Sequence, residues 1–245
     1  MFFNYLKTAL RSLLRHRFFS AINIFGLSVA MALSMVIIML VADQMMYDRY
    51  NTKRDRIYRI NSIPIGNKGE SFSETGTTTL PLKQDLSENF TGVEKSVRII
   101  RGFGNMWMEI EQNVNIPVAG YFADPEILDV FEYELEQGNP ATALVEPFSV
   151  VLTKKAAKKL FRQENPLGET FKVGTEGPYK VTGILKETTN KSHIVFDAIA
   201  SLSTVKSLES QNVREKGLDN GTTTQRVGFM FCWKKIKRKK ILNLS

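Results

Sequence analysis

The residues that most often carry chemistry are sparse in this chain of 245 residues, which has two histidines, His16 and His193, and one cysteine, Cys232. Two histidines this far apart give no metal-ligating cluster, and the chain contains no H-E-x-x-H pair. His16 stands beside a long apolar run, so no Ser-His-Asp set can be assembled around it. No G-x-x-x-x-G-K-[ST] loop is present to cradle a nucleotide phosphate. No catalytic, cofactor or metal site is expected. What remains is cationic. Lys154, Lys155, Lys158 and Lys159 recur with the spacing of one helix face, which reads as a solvated surface or, alternatively, as a binding patch. Lys7, Arg11 and Arg15 stand four apart near the start, with Arg17 close behind, and such a stripe suits anionic lipid headgroups.

These leader cations need an element to hold them. Residues 1–17 read as an amphipathic helix with Leu6, Leu10, Leu13 and Leu14 on one face and the cations on another. It leads directly into residues 18–42, twenty-five positions without Asp, Glu, Lys or Arg. The densest part, residues 24–42, spans about 29 Å as a helix, close to the hydrocarbon thickness of a bilayer. A membrane helix is expected. A buried core helix would rarely stay uncharged for so long. A cleaved signal peptide is the sharper alternative, but its apolar region is shorter, and Leu40-Val41-Ala42 places Leu where the cleavage site wants a small residue. Gly26, Ala30 and Ser34 recur every four residues, the spacing that lets a second membrane helix approach closely, although ordinary membrane-helix composition gives the same stripe.

Lys7, Arg11, Arg15 and Arg17 crowd the N-terminal flank of the span, whereas residues 43–52 hold Arg49 against two aspartates. The N-terminus is therefore expected in the cytoplasm and the rest outside it. Lys53, Arg54, Arg56 and Arg59 follow soon after and weaken that asymmetry in a wider window. The net charge of +8 resembles a nucleic-acid signal until it is located. Four positive charges lie in the leader and six between Lys234 and Lys240, leaving the intervening chain at −2, which excludes a polyanion-binding body. One cysteine permits no intrachain disulfide, so the body must be held by its core.

Residues 43–228 alternate strand and helix patterns, and an α+β fold is expected. Residues 43–52 can extend the membrane helix, and Arg56 to Ile60 alternates like a half-buried strand. Gly66 to Thr79 reads as a loop or weak hairpin. Leu82, Leu86 and Phe90 mark a helix behind Pro81, and Val97 to Ile100 a strand. Met106 to Glu111 alternates again. Asp124-Pro125-Glu126 has the form of a helix cap leading to Phe131. Ser149 to Leu152 is a β-rich run, Thr153 can cap a helix through Phe161, and Asn165-Pro166-Leu167-Gly168 suits a type I turn. Phe171–Val173 and Tyr179–Leu185 form a hairpin around Gly174 and Gly177, and Ile194 to Phe196 begins another strand.

Several of these stretches resemble one family in consistent order: Asp48-Arg49-Tyr50 with Asp55 to Ile60, Phe131 to Leu135 with Gly138 to Leu144, Ser149 to Thr153, Asn165 to Gly168, and Ser192 to Asp197. The family is that of the MacB-like and FtsX-like ABC transporter permeases. The resemblance implies a cytoplasmic amphipathic helix, one membrane helix in the bacterial inner membrane, and an extracytoplasmic α+β core domain with porter-like and smaller β-rich parts. It also implies a separate ATPase and a second permease chain as partners, with membrane lipid around the anchor and no nucleic acid.

Such permeases continue into further membrane helices. Here residues 227–233 offer only seven apolar or neutral positions before the basic run, too few to span, and residues 229–245 are expected to be a disordered or aberrant tail. A truncated permease, inactive alone, is the expectation. A membrane-anchored extracytoplasmic binding or sensing module is the alternative, and an anchored enzyme would require a deep pocket with convergent polar groups.

Overall fold

The computed structural model describes residues 2–62, 76–79, 81–103, 107–109, 115–163, 165–187, 191–214 and 227–233. The chain divides into two units, Met1–Arg49 and Tyr50–Ser245.

The first unit is two helices, α1 (Phe2–Arg15) and α2 (Arg17–Gln44). They break at His16, whose φ of −110° and ψ of 47° leave the helical region. The break is stitched: the Ser20 hydroxyl donates to the Leu13 carbonyl at 3.1 Å. At 28 residues α2 reaches about 42 Å, and no residue in it is buried. Among the described residues it is the one helix long and apolar enough to cross a membrane. It ends at Gln44, so the following residues do not prolong it as expected; 45–50 are turns.

The second unit is built on one mixed sheet. Its strands are β1 (Ile57–Ile60), β2 (Val93–Phe103), β3 (Trp107–Glu109), β4 (Asn115–Pro117), β5 (Gly120–Ala123), β6 (Leu135–Gly138), β7 (Ser149–Thr153), β8 (Thr170–Val173), β9 (Gly177–Leu185), β10 (Ala198–Ser201) and β11 (Val227–Trp233). Its helices are α3 (Leu82–Asn89), α4 (Ile127–Val130), α5 (Lys154–Phe161) and α6 (Ser203–Ser210). The order is β1-β11-β2-β5-β10-β7-β9-β8-β3-β4, with β6 paired to β9. β10 runs parallel to β5 and β7 parallel to β9; the other neighbours are antiparallel. The expected α+β class is found, with β8, β3 and β4 as a small β-rich extension.

Period-two alternation divides the core between the two faces of this sheet. On β7, Val150 and Leu152 join one cluster with Phe103, Phe122 and Tyr179, while Val151 joins the other with Ile99, Ile127 and Leu144. β10 does the same: Ala198 and Ala200 face one side and Ile199 the other. Strands covered on both faces read as continuous apolar runs, which is why Ser149 to Leu152 is legible as a strand. On the first face Tyr179 stands 5.0 Å edge-on from Phe103 and 5.4 Å from Phe148. Its hydroxyl donates to Glu176 at 2.7 Å, and burial, with the Glu176 charge and hydrogen bond, pushes its pKa far up.

Local chemistry explains where expectations held. Thr153 caps α5, its hydroxyl accepting from the Ala156 amide at 3.1 Å. The β8–β9 hairpin turns through Gly174 and Gly177, both at positive φ. Other expectations are corrected. The turn at 165–168 shifts by one residue: the Glu169 amide donates to the Pro166 carbonyl, and Gly168, third in that turn, has φ of +90°. A positive φ there belongs to type II rather than type I. β1 does not alternate cleanly, since Ile57 and Ile60 are half-buried and Tyr58 and Arg59 exposed; it lies at one edge of the described sheet. α3 ends at Asn89, and Phe90 is extended. Residues 194–196 are not a strand. Pairing starts only at Ala198, because Asp197 ties the entry to that strand through its amide to the Ala119 carbonyl at 2.7 Å.

The largest correction concerns the C-terminal end of the domain. Residues 229–233 are not tail: β11 lies between β1 and β2, with Ile57 opposite Cys232 and Ile100 opposite Val227. Seven residues are too short for a membrane but long enough for a strand. The expected Gly66–Thr79 loop falls mostly outside the described residues, as do Met106, residues 110–111 and 234–245.

Candidate functional site

The candidate membrane-contacting residues lie in the first unit. Lys7, Arg11 and Arg15 are exposed on α1 one turn apart, and Arg17 opens α2 with its guanidinium 5.8 Å from the Phe18 ring centre. Phe3, Tyr5, Leu6, Leu13 and Leu14 are all at least half exposed; the Leu10 side chain lies outside the described residues. The described apolar side chains of this helix are thus open to solvent, as in a helix that lies on a membrane surface.

Gly26, Ala30 and Ser34 are exposed along α2. A Cβ added to Gly26 would meet nothing within 4 Å. The Ser34 hydroxyl donates to the Ala30 carbonyl at 2.8 Å, so it is turned onto its own helix. The stripe is therefore smooth and small, which is the surface a second helix needs for close approach.

The second unit carries one large groove, about 1530 Å³ in volume. Tyr133, Phe196, Leu135 and Leu185 supply apolar walls, and charged residues stand around them. Most of those charges are paired. Lys53 and Lys95 reach Asp129 at 3.0 and 2.7 Å, Lys186 reaches Glu134 at 2.7 Å, and Lys154 reaches Glu136 at 2.8 Å. The Lys95 and Lys53 hydrogen bonds hold the Asp129 carboxyl below its ordinary value, and Asp129 in turn raises Lys95. The groove therefore lacks the single-sign field that would draw a charged substrate. Among the described residues that line it there is no histidine or cysteine. Among the described residues no group of three or more metal-ligating side chains comes together.

The lysine helix is split up by its neighbours. Lys154 is engaged with Glu136, and Lys159 donates to the Pro117 carbonyl, while Lys155 and Lys158 are exposed. The four do not form one patch. His193 is exposed in the connection between β9 and β10, far in sequence from His16 at the α1–α2 break.

Two polar clusters were not read from the sequence. Asp124, expected as a helix cap, turns its carboxylate away from α4. It accepts from the Arg98 amide at 2.8 Å and from the Arg98 guanidinium at 3.0 and 2.8 Å, with Lys83 at 3.2 Å. Burial pushes this carboxyl up, but the Arg98 hydrogen bonds and the Arg98 and Lys83 charges outweigh it and hold the pKa low. The second cluster joins residues 51–53 to the end of α4. Asn51, 4% exposed, donates to the Val130 carbonyl at 2.9 Å. The Thr52 amide donates to Glu132 at 2.7 Å, its hydroxyl donates to the same carboxylate, and the Lys53 ammonium donates to the Asp129 carbonyl at 2.9 Å. The hint for this cluster is Glu132 itself, a non-glycine residue at φ +54° that ends α4 and aims its carboxylate at Thr52.

Comparison with known proteins follows this geometry. The MacB-like periplasmic core domain model matches residues 20–227, and the chain belongs to that family. It thus carries the periplasmic domain of a permease-type protein of ABC transporters, a class that is not itself enzymatic. Among solved structures, a domain of a protein described as a permease from Porphyromonas gingivalis is 18% identical with a TM-score of 0.62, 75% of each chain being covered. The periplasmic region of MacB from Actinobacillus actinomycetemcomitans is 15% identical with a TM-score of 0.49, covering 73% of this chain and 74% of that one. The extracellular domain of the noncanonic ABC-type transporter YknZ from Gram-positive bacteria is 16% identical with a TM-score of 0.48, covering 73% and 82%. Comparison with curated proteins gives no match.

Proposed function

We propose that this chain is a permease subunit of a MacB/FtsX-type ABC transporter, anchored in the inner membrane by α2 with the N-terminus in the cytoplasm. The observation that carries this reading is the continuity of a 28-residue apolar helix, none of whose residues is buried, with a MacB-like periplasmic core domain. The domain then works on the extracytoplasmic side, converting motion driven by a separate ATPase into export or envelope work. α1 lies in the headgroup layer with Lys7, Arg11, Arg15 and Arg17 toward anionic lipid. The Gly26, Ala30 and Ser34 stripe receives a membrane helix of a second permease chain.

Coupling needs more than the one membrane helix found among the described residues. A specific interface buries about 800 Å² per partner, and a seventeen-residue leader half committed to lipid offers an ATPase much less. The missing contact must come from further membrane helices, whichever polypeptide supplies them, and the chain alone is inactive. The test is co-purification with a cognate ATPase and its ATP turnover in lipid vesicles. ATPase recruitment together with a permease supplying those helices supports the reading. A stable chain that never recruits an ATPase points instead to a membrane-anchored binding or sensing module, and strong stimulation by this chain alone would overturn the claim of inactivity.

A further inference from the structure

The last described strand ends beside the start of the first. β11 runs antiparallel to β1, with Ile57, which opens β1, opposite Cys232, and with Trp233 opposite Val93 at the start of β2. The chain beyond Trp233 therefore leaves the sheet at the end where the chain from α2 enters it. Residues 45–56 alone join Gln44 to Ile57. They are not drawn out, since the Met46 amide donates back to the Asp43 carbonyl at 3.1 Å and the Arg56 amide to the Lys53 carbonyl at 2.8 Å. What leaves the sheet here is strongly cationic: residues 234–240 are all Lys or Arg except Ile236, and no Asp or Glu follows before Ser245. The described charges at this end are balanced by comparison. Lys53 and Lys95 share Asp129, Arg56 pairs with Glu94, and Arg54 lies 3.9 Å from Asp55. The excess positive charge thus comes from residues 234–240.

We propose that residues 234–240 bind the anionic phospholipid headgroups of the leaflet from which the domain emerges, giving it an electrostatic hold on the membrane in addition to α2. The proposal rests on the anchored-domain reading above. Clustered Lys and Arg beside an anionic bilayer are drawn to it, and salt screens the attraction. Ile236, Ile241, Leu242 and Leu244 lie within and just after the cations and supply apolar side chains for the boundary between headgroups and acyl chains. A soluble polyanion would offer similar phosphates, but the bilayer is the anionic surface that the chain itself brings to this end of the sheet. Lipid is therefore the partner.

Fluorescence quenching on the full chain in lipid nanodiscs tests this. With Cys232→Ser as background, a cysteine replacing Asn243 carries a fluorophore, and a fraction of the lipid headgroups carries a spin-label quencher. Discs of phosphatidylcholine mixed with phosphatidylglycerol should quench the probe at least threefold more than discs of phosphatidylcholine alone. Salt at about 0.5 M should remove most of that difference. Changing Lys234, Lys235, Lys237, Arg238, Lys239 and Lys240 together to Gln should remove it at low salt as well, and the salt series on the unchanged run gives the same answer without that variant. Equal quenching in the two lipid mixtures, or none while the chain stays with the disc, would overturn the proposal and leave the anchored domain standing. A chain that washes out of the discs would instead sink the anchored reading, and the proposal with it.

Discussion

Ile57 of β1 pairs with Cys232 of β11, so the first strand after the membrane helix lies in the sheet beside the last described strand of the chain. β11 pairs with β1 over Ile57–Ile60 and with β2 from Val93 to Ile100. Each cross-strand pair contributes roughly 0.2–1 kcal/mol, so the strand as a whole is worth several. A chain ending at residue 226 should unfold at a clearly lower denaturant concentration than one ending at 233, and should aggregate through the bared edge of β2. Equal midpoints for the two would show that β11 is dispensable.

Asp124 and Arg98 form a bidentate pair in which the carboxylate is almost fully buried. Asp124→Ala leaves Arg98 and Lys83 facing each other without their shared anion and should cost about 3 kcal/mol in equilibrium unfolding. Asp124 and Asp129 both have lowered pKa values when folded. Each therefore adds stability above the unfolded carboxyl pKa of about 3.9, and that stability is lost as pH falls from about 5 through the folded values. Lys95 is raised, so its contribution holds at neutral pH and is lost only above its ordinary value. An acid titration of Asp124→Asn should be shallower than that of the native chain, and an identical slope would remove Asp124 from this role.

Gly138 and Gly168 share positive φ values, +96° and +90°, but not their surroundings. A Cβ on Gly138 would run into the Thr182 carbonyl and stand 2.9 Å from the Gly183 Cα, whereas one on Gly168 meets nothing within 4 Å. Gly168→Ala should cost only the strain of the left-handed backbone, about 1–2 kcal/mol. Gly138→Ala must also part β6 from β9 and should cost distinctly more. Thermal denaturation of the two variants gives the comparison directly, and equal losses would mean that backbone strain alone matters.

Replacing Lys7, Arg11 and Arg15 together by Glu should weaken or invert membrane insertion, since each basic residue near an anionic surface contributes about 1 kcal/mol. Protease accessibility of the domain reads the outcome. Unchanged orientation would assign the leader cations no part in topology.

Much of this was legible locally. The charge-free run of 18–42, the Thr153 cap on α5 and the β8–β9 hairpin each rest on chemistry within a few residues of sequence. What was not legible depends on distant partners. Val227 to Trp233 reads as a failed membrane span, because only β1 and β2 on either side make it a strand. Asp124 reads as a cap until Arg98, on another strand, takes its carboxylate. Asn51, Thr52 and Lys53 carry no motif; their meaning comes from the turn at Asp129 to Glu132. The groove was likewise invisible, since its paired charges come from separate elements.

The most direct test of an anchored domain facing away from the cytoplasm is cysteine labelling in intact cells. With Cys232→Ser as background, one cysteine replaces Val195, 77% exposed in the domain, and another replaces Ser12 in α1. A maleimide that cannot cross the inner membrane should label position 195 in cells whose outer barrier alone is opened. It should reach position 12 only after the inner membrane is broken. Labelling of position 12 from outside with position 195 protected, or release of the domain from the membrane in a shortened form, would contradict the account.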